Sequence, residues 1–184
     1  MDAAPEWIVS TVNDRIVSVS LDYTIFTEIM KKISRMPVES VSGINCRKVS
    51  TEDVIAMSPS VRWDDLYLFG TNFQKMVWKK LFDLTHPAPE GHPRLLSYTD
   101  FADMCGKRSG VRAVAHAIAQ NPAAIIIPCH LIVPKETMDR IEEIEHQAEN
   151  SLFGTDGLIL DPSLDFGEYR YGKAIKKWLL TGTV

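Results

Sequence analysis

The sequence has little of what would assign a function at a glance. Only three of its 184 residues are cysteine: Cys46, Cys105 and Cys129. None belongs to a CxxC pair or to a Cys/His ligand cluster, which argues against a structural zinc. The odd number argues for reduced thiols over a disulfide framework. No run approaches the roughly 18 consecutive apolar residues of a membrane helix. The opening, Met1-Asp2-Ala3-Ala4-Pro5-Glu6, is neither basic nor followed by a long apolar stretch, so no secretory signal is expected and a cytosolic protein is. An excess of positive charge is missing as well: 20 Lys and Arg against 24 Asp and Glu leave −4. Such a chain binds nucleic acid only through a local patch.

What is present is an ordinary globular balance, 45% hydrophobic and 24% charged, in a chain long enough to bury a core. The charge is unevenly placed. Residues 135–150 hold Glu136, Asp139, Glu142, Glu143, Glu145 and Glu149 against Lys135 and Arg140, so this block carries the whole −4 and the remainder is neutral. Met138, Ile141 and Ile144 would give it one apolar side as a helix; a solvated excursion is the alternative.

Local pattern predicts an α+β protein in two parts. Residues 7–10 and 15–21 read as strands around an Asn13-Asp14 turn, the second by its period-2 alternation. Ile25, Ile29 and Ile33 mark a helix. Residues 38–49 hold another strand or two, broken at Gly43, and Thr51-Glu52-Asp53 opens a short helix. Together these form a small N-terminal antiparallel sheet with helix, over residues 1–60. After a linker at 57–70, a mostly helical domain runs over 66–184. Thr71 caps its first helix, which carries Phe73, Met76, Val77, Leu81 and Phe82. Residues 84–96, with three prolines and a glycine, read as a loop. Ser97 caps the next helix, with Phe101, Met104 and Cys105 as its apolar face, ended by Gly106. Another helix spans 111–120. Two short helices about a glycine-containing turn fit a helix-turn-helix, or any αα-hairpin.

The second of these helices carries Ala113, Ala115, Ala117 and Ala119, small enough for close approach to a partner, with Arg112 and His116 four apart on one face. It leads to Asn121-Pro122 and then to Ile125-Ile126-Ile127-Pro128-Cys129-His130. A thiolate is a good nucleophile and a thiol is not. Activation needs a base near the sulfur. In a continuous strand Cys129 and His130 would face opposite ways; Pro128 argues that the strand stops there, and a turn would let His130 reach the sulfur, directly or through water. On the residues alone, a buried structural cysteine remains open.

Several separated blocks resemble the O6-alkylguanine-DNA alkyltransferase (methylated-DNA–protein-cysteine methyltransferase) family. They are Gly70-Thr71-x-Phe73-Gln74-x-x-Val77-Trp78, Ser97-Tyr98-x-x-x-Ala102, Arg112-Ala113-Val114, Asn121-Pro122, Ile127-Pro128-Cys129-His130, Gly167-x-Tyr169 and Lys176-x-Trp178-Leu179-Leu180. The resemblance covers roughly residues 68–181. It implies direct, single-use repair of O6-alkylguanine without a cofactor, on double-stranded DNA approached from the minor groove with the damaged base flipped out. It implies that Cys129 takes the alkyl group, His130 draws off the thiol proton through water, and Asn121 orders the turn bearing the nucleophile. Arg112 would replace the extruded base, with Ala113 and Ala115 allowing close approach. Tyr98 would push on the phosphate that rotates, and Tyr169 would line the base pocket. A monomer is expected.

The sequence departs from the family pattern in four places. Leu131 stands where an arginine usually follows Pro-Cys-His. An acidic insertion occupies about 132–165. Arg170 follows Tyr169 where a serine is usual. No glutamate follows the Trp-Leu-Leu segment, where Thr181-Gly182-Thr183-Val184 stand, so His130 is expected to lack its usual orienting carboxylate, unless one of the acids in the 136–165 segment takes its place. These departures leave a second reading, an alkyltransferase-like protein that binds lesions without repairing them. A Cys-His hydrolase would need an orienting residue and an oxyanion hole, and no motif supplies either.

Overall fold

The structure is a computed structural model describing residues 4–37, 41–86, 95–149, 161 and 163–181. It is α+β. Strands β1 (Trp7–Val12) and β2 (Arg15–Ser20) form an antiparallel hairpin. Asn13 and Asp14 turn it with φ of 52° and 60°. Two successive left-handed residues match the right-handed twist of the strands, and Asn and Asp adopt that region at low cost. Strand β3 (Ile44–Val49) lies on the other side of β1, giving the order β2-β1-β3. Helix α1 (Thr24–Ile33) buries Ile25, Ile29 and Ile33. Helix α2 (Thr51–Met57) begins at Ser50, whose side chain accepts from the Asp53 N–H. Its first residue, Thr51, accepts a hydrogen bond from the buried Trp7 indole at 2.9 Å, which fixes the helix to the central strand.

The predicted linker is more ordered than its Pro and Ser content indicated. Short 3₁₀ turns at Ser58–Ser60 and Trp63–Asp65 are followed by buried Leu66 and Leu68. The Arg15 guanidinium donates to the Leu66 carbonyl, and Tyr67 N–H to Ile16 O at 2.8 Å, so this stretch runs beside β2. Helix α3 (Asn72–Phe82) starts with a capping box: Thr71 accepts from the Gln74 N–H, and the Gln74 side chain accepts from the Thr71 N–H. Gly70 is required here, because a Cβ would stand 2.6 Å from the Trp78 ring. That ring in turn donates from Nε1 to the Ala117 carbonyl at 2.8 Å.

Part of the expected loop at 84–96 lies outside the described residues, but Leu96–Ser97 is a short strand, β4. It pairs in parallel with β5 (Ile132–Val133), the residues just after Cys129-His130-Leu131. Helix α4 (Tyr98–Met104) is capped by Ser97, which accepts from the Asp100 N–H. Its apolar face is Phe101, Ala102 and Cys105; Met104 is 48% exposed, contrary to the sequence expectation, because it falls on the outer side of this short helix. Gly106 turns at φ 65°, a 3₁₀ turn follows at Arg108–Gly110, and α5 (Val111–Ala119) completes the helix-turn-helix. The acidic block is a helix, α6 (Lys135–Glu149), and α7 spans Lys173–Thr181. Leu95, Leu131, Val133, Ile141 and Phe166 form a core cluster, with Met138, Leu164 and Leu180 packed on it.

Contacts divide the chain into two compact units, both discontinuous: residues 2–93 with 116–129, and residues 94–115 with 130–184.

Candidate active site

The stretch 121–129 is buried throughout. It is not the strand that its apolar run resembles. Ile126 N–H bonds to Ala124 O, Ile127 N–H to Ala123 O and Cys129 N–H to Ile127 O, a succession of tight turns. Ile125 holds φ at 70°, a left-handed conformation that a β-branched residue adopts only under constraint. The constraint comes from outside the loop: Val19 of β2 donates to Pro122 O and accepts from Ala124 N–H, both at 3.0 Å. The loop is thereby stitched to the N-terminal sheet.

Asn121 is the centre of this arrangement. Its Oδ1 accepts from the Ala123 N–H at 3.0 Å. That fixes which end of the amide is nitrogen, so Nδ2 faces inward. Nδ2 donates to the Ile127 carbonyl at 2.8 Å and to Cys129 Sγ at 3.0 Å. An N–H dipole aimed at sulfur favours negative charge there. Cys129 is itself largely buried, 7% exposed, so the sulfur meets this donor with little competition from water.

Pro128 ends the run, and Cys129–Leu131 is a 3₁₀ turn, as the expectation of a break after the proline required. His130 Nδ1 is buried without a hydrogen-bond partner among the described residues. No carboxylate orients it there. Burial, and secondarily the Lys176 ammonium, push the imidazole down to about 4, so it is neutral at physiological pH. Tyr98 is half-buried at the start of α4, with its ring 5.7 Å from Lys176 Nζ. Tyr169 is half-buried and meets Tyr171 edge-on at 5.6 Å. Arg170 is exposed.

On α5, Val114, Ala117 and Ile118 are buried, whereas Arg112, Ala113, His116 and Ala119 are exposed and Ala115 is half-buried. The face bearing Arg112 is thus presented to solvent with small residues around it. Asn121 and Cys129 are brought into contact; His130, Tyr98 and Tyr169 lie in the other unit. Among the described residues, no group of three His, Cys, Asp or Glu is placed to hold a metal ion. Sequence reasoning quoted Lys176 only as part of a block and gave it no role, although it is completely buried, and it passed over the clasp by Val19. Lysine in an amphipathic helix is ordinarily a surface residue, and a backbone contact leaves no sequence signal.

Residues 72–140 match the family model described as 6-O-methylguanine DNA methyltransferase, DNA binding domain. A probable methylated-DNA–protein-cysteine methyltransferase of Acanthamoeba polyphaga mimivirus is 46% identical over 71 residues, 39% of this chain and 44% of that protein. The methylated-DNA–protein-cysteine methyltransferase of Mycobacterium tuberculosis is 44% identical over 69 residues, 38% of each chain. A crystal structure of the Mycobacterium tuberculosis OGT in complex with DNA aligns over 39% of this chain and 40% of that one, with 41% identity and a TM-score of 0.32. The chain spans less than half the length of these relatives. The matched stretch takes in α4, α5, the Asn121 loop and Cys129, so the similarity to the 6-O-methylguanine DNA methyltransferase DNA-binding domain falls on the elements that build the candidate site.

Proposed function

We propose that the chain repairs O6-alkylguanine in double-stranded DNA by moving the alkyl group to Cys129, once per molecule. The observation that carries this reading is the buried Asn121 amide donating to Cys129 Sγ at 3.0 Å, a sulfur prepared for negative charge in a rigid loop. The sulfur attacks the alkyl carbon in line. An S–C bond forms, the C–O6 bond breaks, and its electron pair leaves on the guanine, which takes up a proton at N1. Neutral His130 can accept the thiol proton, directly or through water. With its imidazole at about 4 it holds that proton poorly, which suits a relay to the departing guanine more than a store.

In this reading the target base is flipped out towards the site and α5 enters the minor groove. Arg112 fills the gap in the stack, and Ala113 and Ala115 let the helix approach the sugar edges. Tyr98 acts on the rotating phosphate and Tyr169 lines the base pocket. Residues 66–184, with the insertion at about 132–165, bind and react; residues 1–60 support them through the Val19 clasp. The protein works as a monomer, in a reducing, cytosolic compartment that keeps Cys129 a thiol. Titration with a duplex carrying one O6-methylguanine should restore guanine to a plateau of one per chain, and Cys129→Ser should restore none. Binding without restoration would make it a lesion-binding relative instead.

A further inference from the structure

Lys176 of α7 is completely buried. Its Nζ donates to the Ile132 carbonyl at 2.6 Å and lies 3.5 Å from the Glu168 carbonyl. It stands 5.7 Å from the centre of the Tyr98 ring. Removing an ammonium from water costs several kcal/mol even when partnered, and an apolar side chain of this length would fill the space at lower cost. The neighbouring lysine, Lys173, behaves ordinarily: exposed, paired with the Asp165 and Glu168 carboxylates. The groups Lys176 gathers are those next to the candidate site. Ile132 is two residues after His130, Glu168 immediately precedes Tyr169, and Tyr98 is beneath the charge.

We propose that Lys176 is a positioning residue, whose ammonium ties the Ile132 and Glu168 carbonyls together beside the Tyr98 ring and so sets His130, Tyr98 and Tyr169 in fixed relation. This rests on the alkyl-transfer reading above. Its charge also opposes protonation of His130, keeping that imidazole able to accept a proton. Duplex affinity should depend on it little, since most of the candidate DNA face is the exposed side of α5, whereas Tyr98 and Tyr169 act on the flipped nucleotide alone.

The test is single-turnover methyl transfer from an O6-methylguanine duplex by the whole chain, comparing wild type, Lys176→Met and Lys176→Arg. The expected result is a maximal rate lowered about tenfold or more in Lys176→Met, with the half-saturating duplex concentration changed by less than about twofold, and substantial recovery in Lys176→Arg. A folded Lys176→Met with wild-type rate, a parallel loss of rate and affinity, or no recovery with arginine would overturn the proposal. Should Lys176→Met fail to fold, ammonium resonances of 15N-lysine-labelled Cys129→Ser protein decide: the Lys176 signal should be slow to exchange and shift when the lesion duplex binds, and an unmoved signal overturns it. A wild-type chain that transfers nothing refutes the alkyl-transfer reading itself, and this role with it.

Discussion

At the scale of single residues, Asn121 joins fold to chemistry. One buried amide satisfies the Ala123 N–H, the Ile127 carbonyl and the Cys129 sulfur. Asn121→Ala strands the Ala123 N–H and leaves the Ile127 carbonyl with only the Cys129 N–H, which should cost roughly 1–3 kcal/mol in denaturant unfolding. Asn121→Asp keeps the acceptor for Ala123 but turns a carboxylate on the sulfur. It should slow methyl transfer more than Asn121→Ala does, and the reverse order would show that the donor to sulfur is unimportant. His130 makes a pH prediction. Its folded value, about 4, lies below the ordinary 6.5, so between those values the unfolded chain binds more protons than the folded one. Stability from this group is therefore full above about pH 6.5 and lost as pH falls towards 4, by up to about 3 kcal/mol. Unfolding followed from pH 7 to 4 should show His130→Gln losing correspondingly less stability than wild type.

Among the elements, two departures from the family pattern explain each other. Leu131 is buried in the cluster that holds Ile141 of α6, together with Leu95, Val133 and Phe166. The inserted helix thus brings an apolar face to the very position where an arginine is usual. Leu131→Arg, which restores the family residue, should destabilise by about 3 kcal/mol or more by placing a charge in that cluster; unchanged unfolding would mean the side chain escapes to solvent. The elements differ in how readable they were. The β1–β2 hairpin was legible because alternation and Asn13-Asp14 are local signals, and the Thr71 and Ser97 caps follow from side chains reaching three residues ahead. The loop at 121–129 was not. Its apolar run reads as strand, and the turns that replace it depend on Val19, about a hundred residues away in sequence, and on the Asn121 side chain. Cys129, His130 and Asn121 could be named from their motif, and the want of a glutamate after Trp178-Leu179-Leu180 was visible with them, but the donor to sulfur could not be seen before the loop was folded.

For the molecule as a whole, electrostatics is the unusual term. On the proposed function, a chain with net charge −4 must bind DNA through a local surface, and α6 sets an acidic helix in the same chain. Glu142, Glu143 and Glu145 include exposed carboxylates whose field reaches about a Debye length, roughly 10 Å at 0.1 M salt. Replacing all three by glutamine should raise duplex affinity several-fold at low salt, shrinking as salt rises, and leave the maximal transfer rate unchanged. A lowered affinity would mean that α6 contributes contacts that charge alone does not describe. The chain has no candidate membrane span among the described residues, and its function rests on whether the sulfur reacts. The most direct measurement is intact-protein mass after incubation with excess duplex containing O6-methylguanine, followed by peptide mapping, with Cys129→Ser alongside. The account predicts the gain of a single methyl group, located on Cys129 and absent from the serine variant. An unchanged mass in a preparation that binds the duplex, or a methyl group on any other residue, would contradict it.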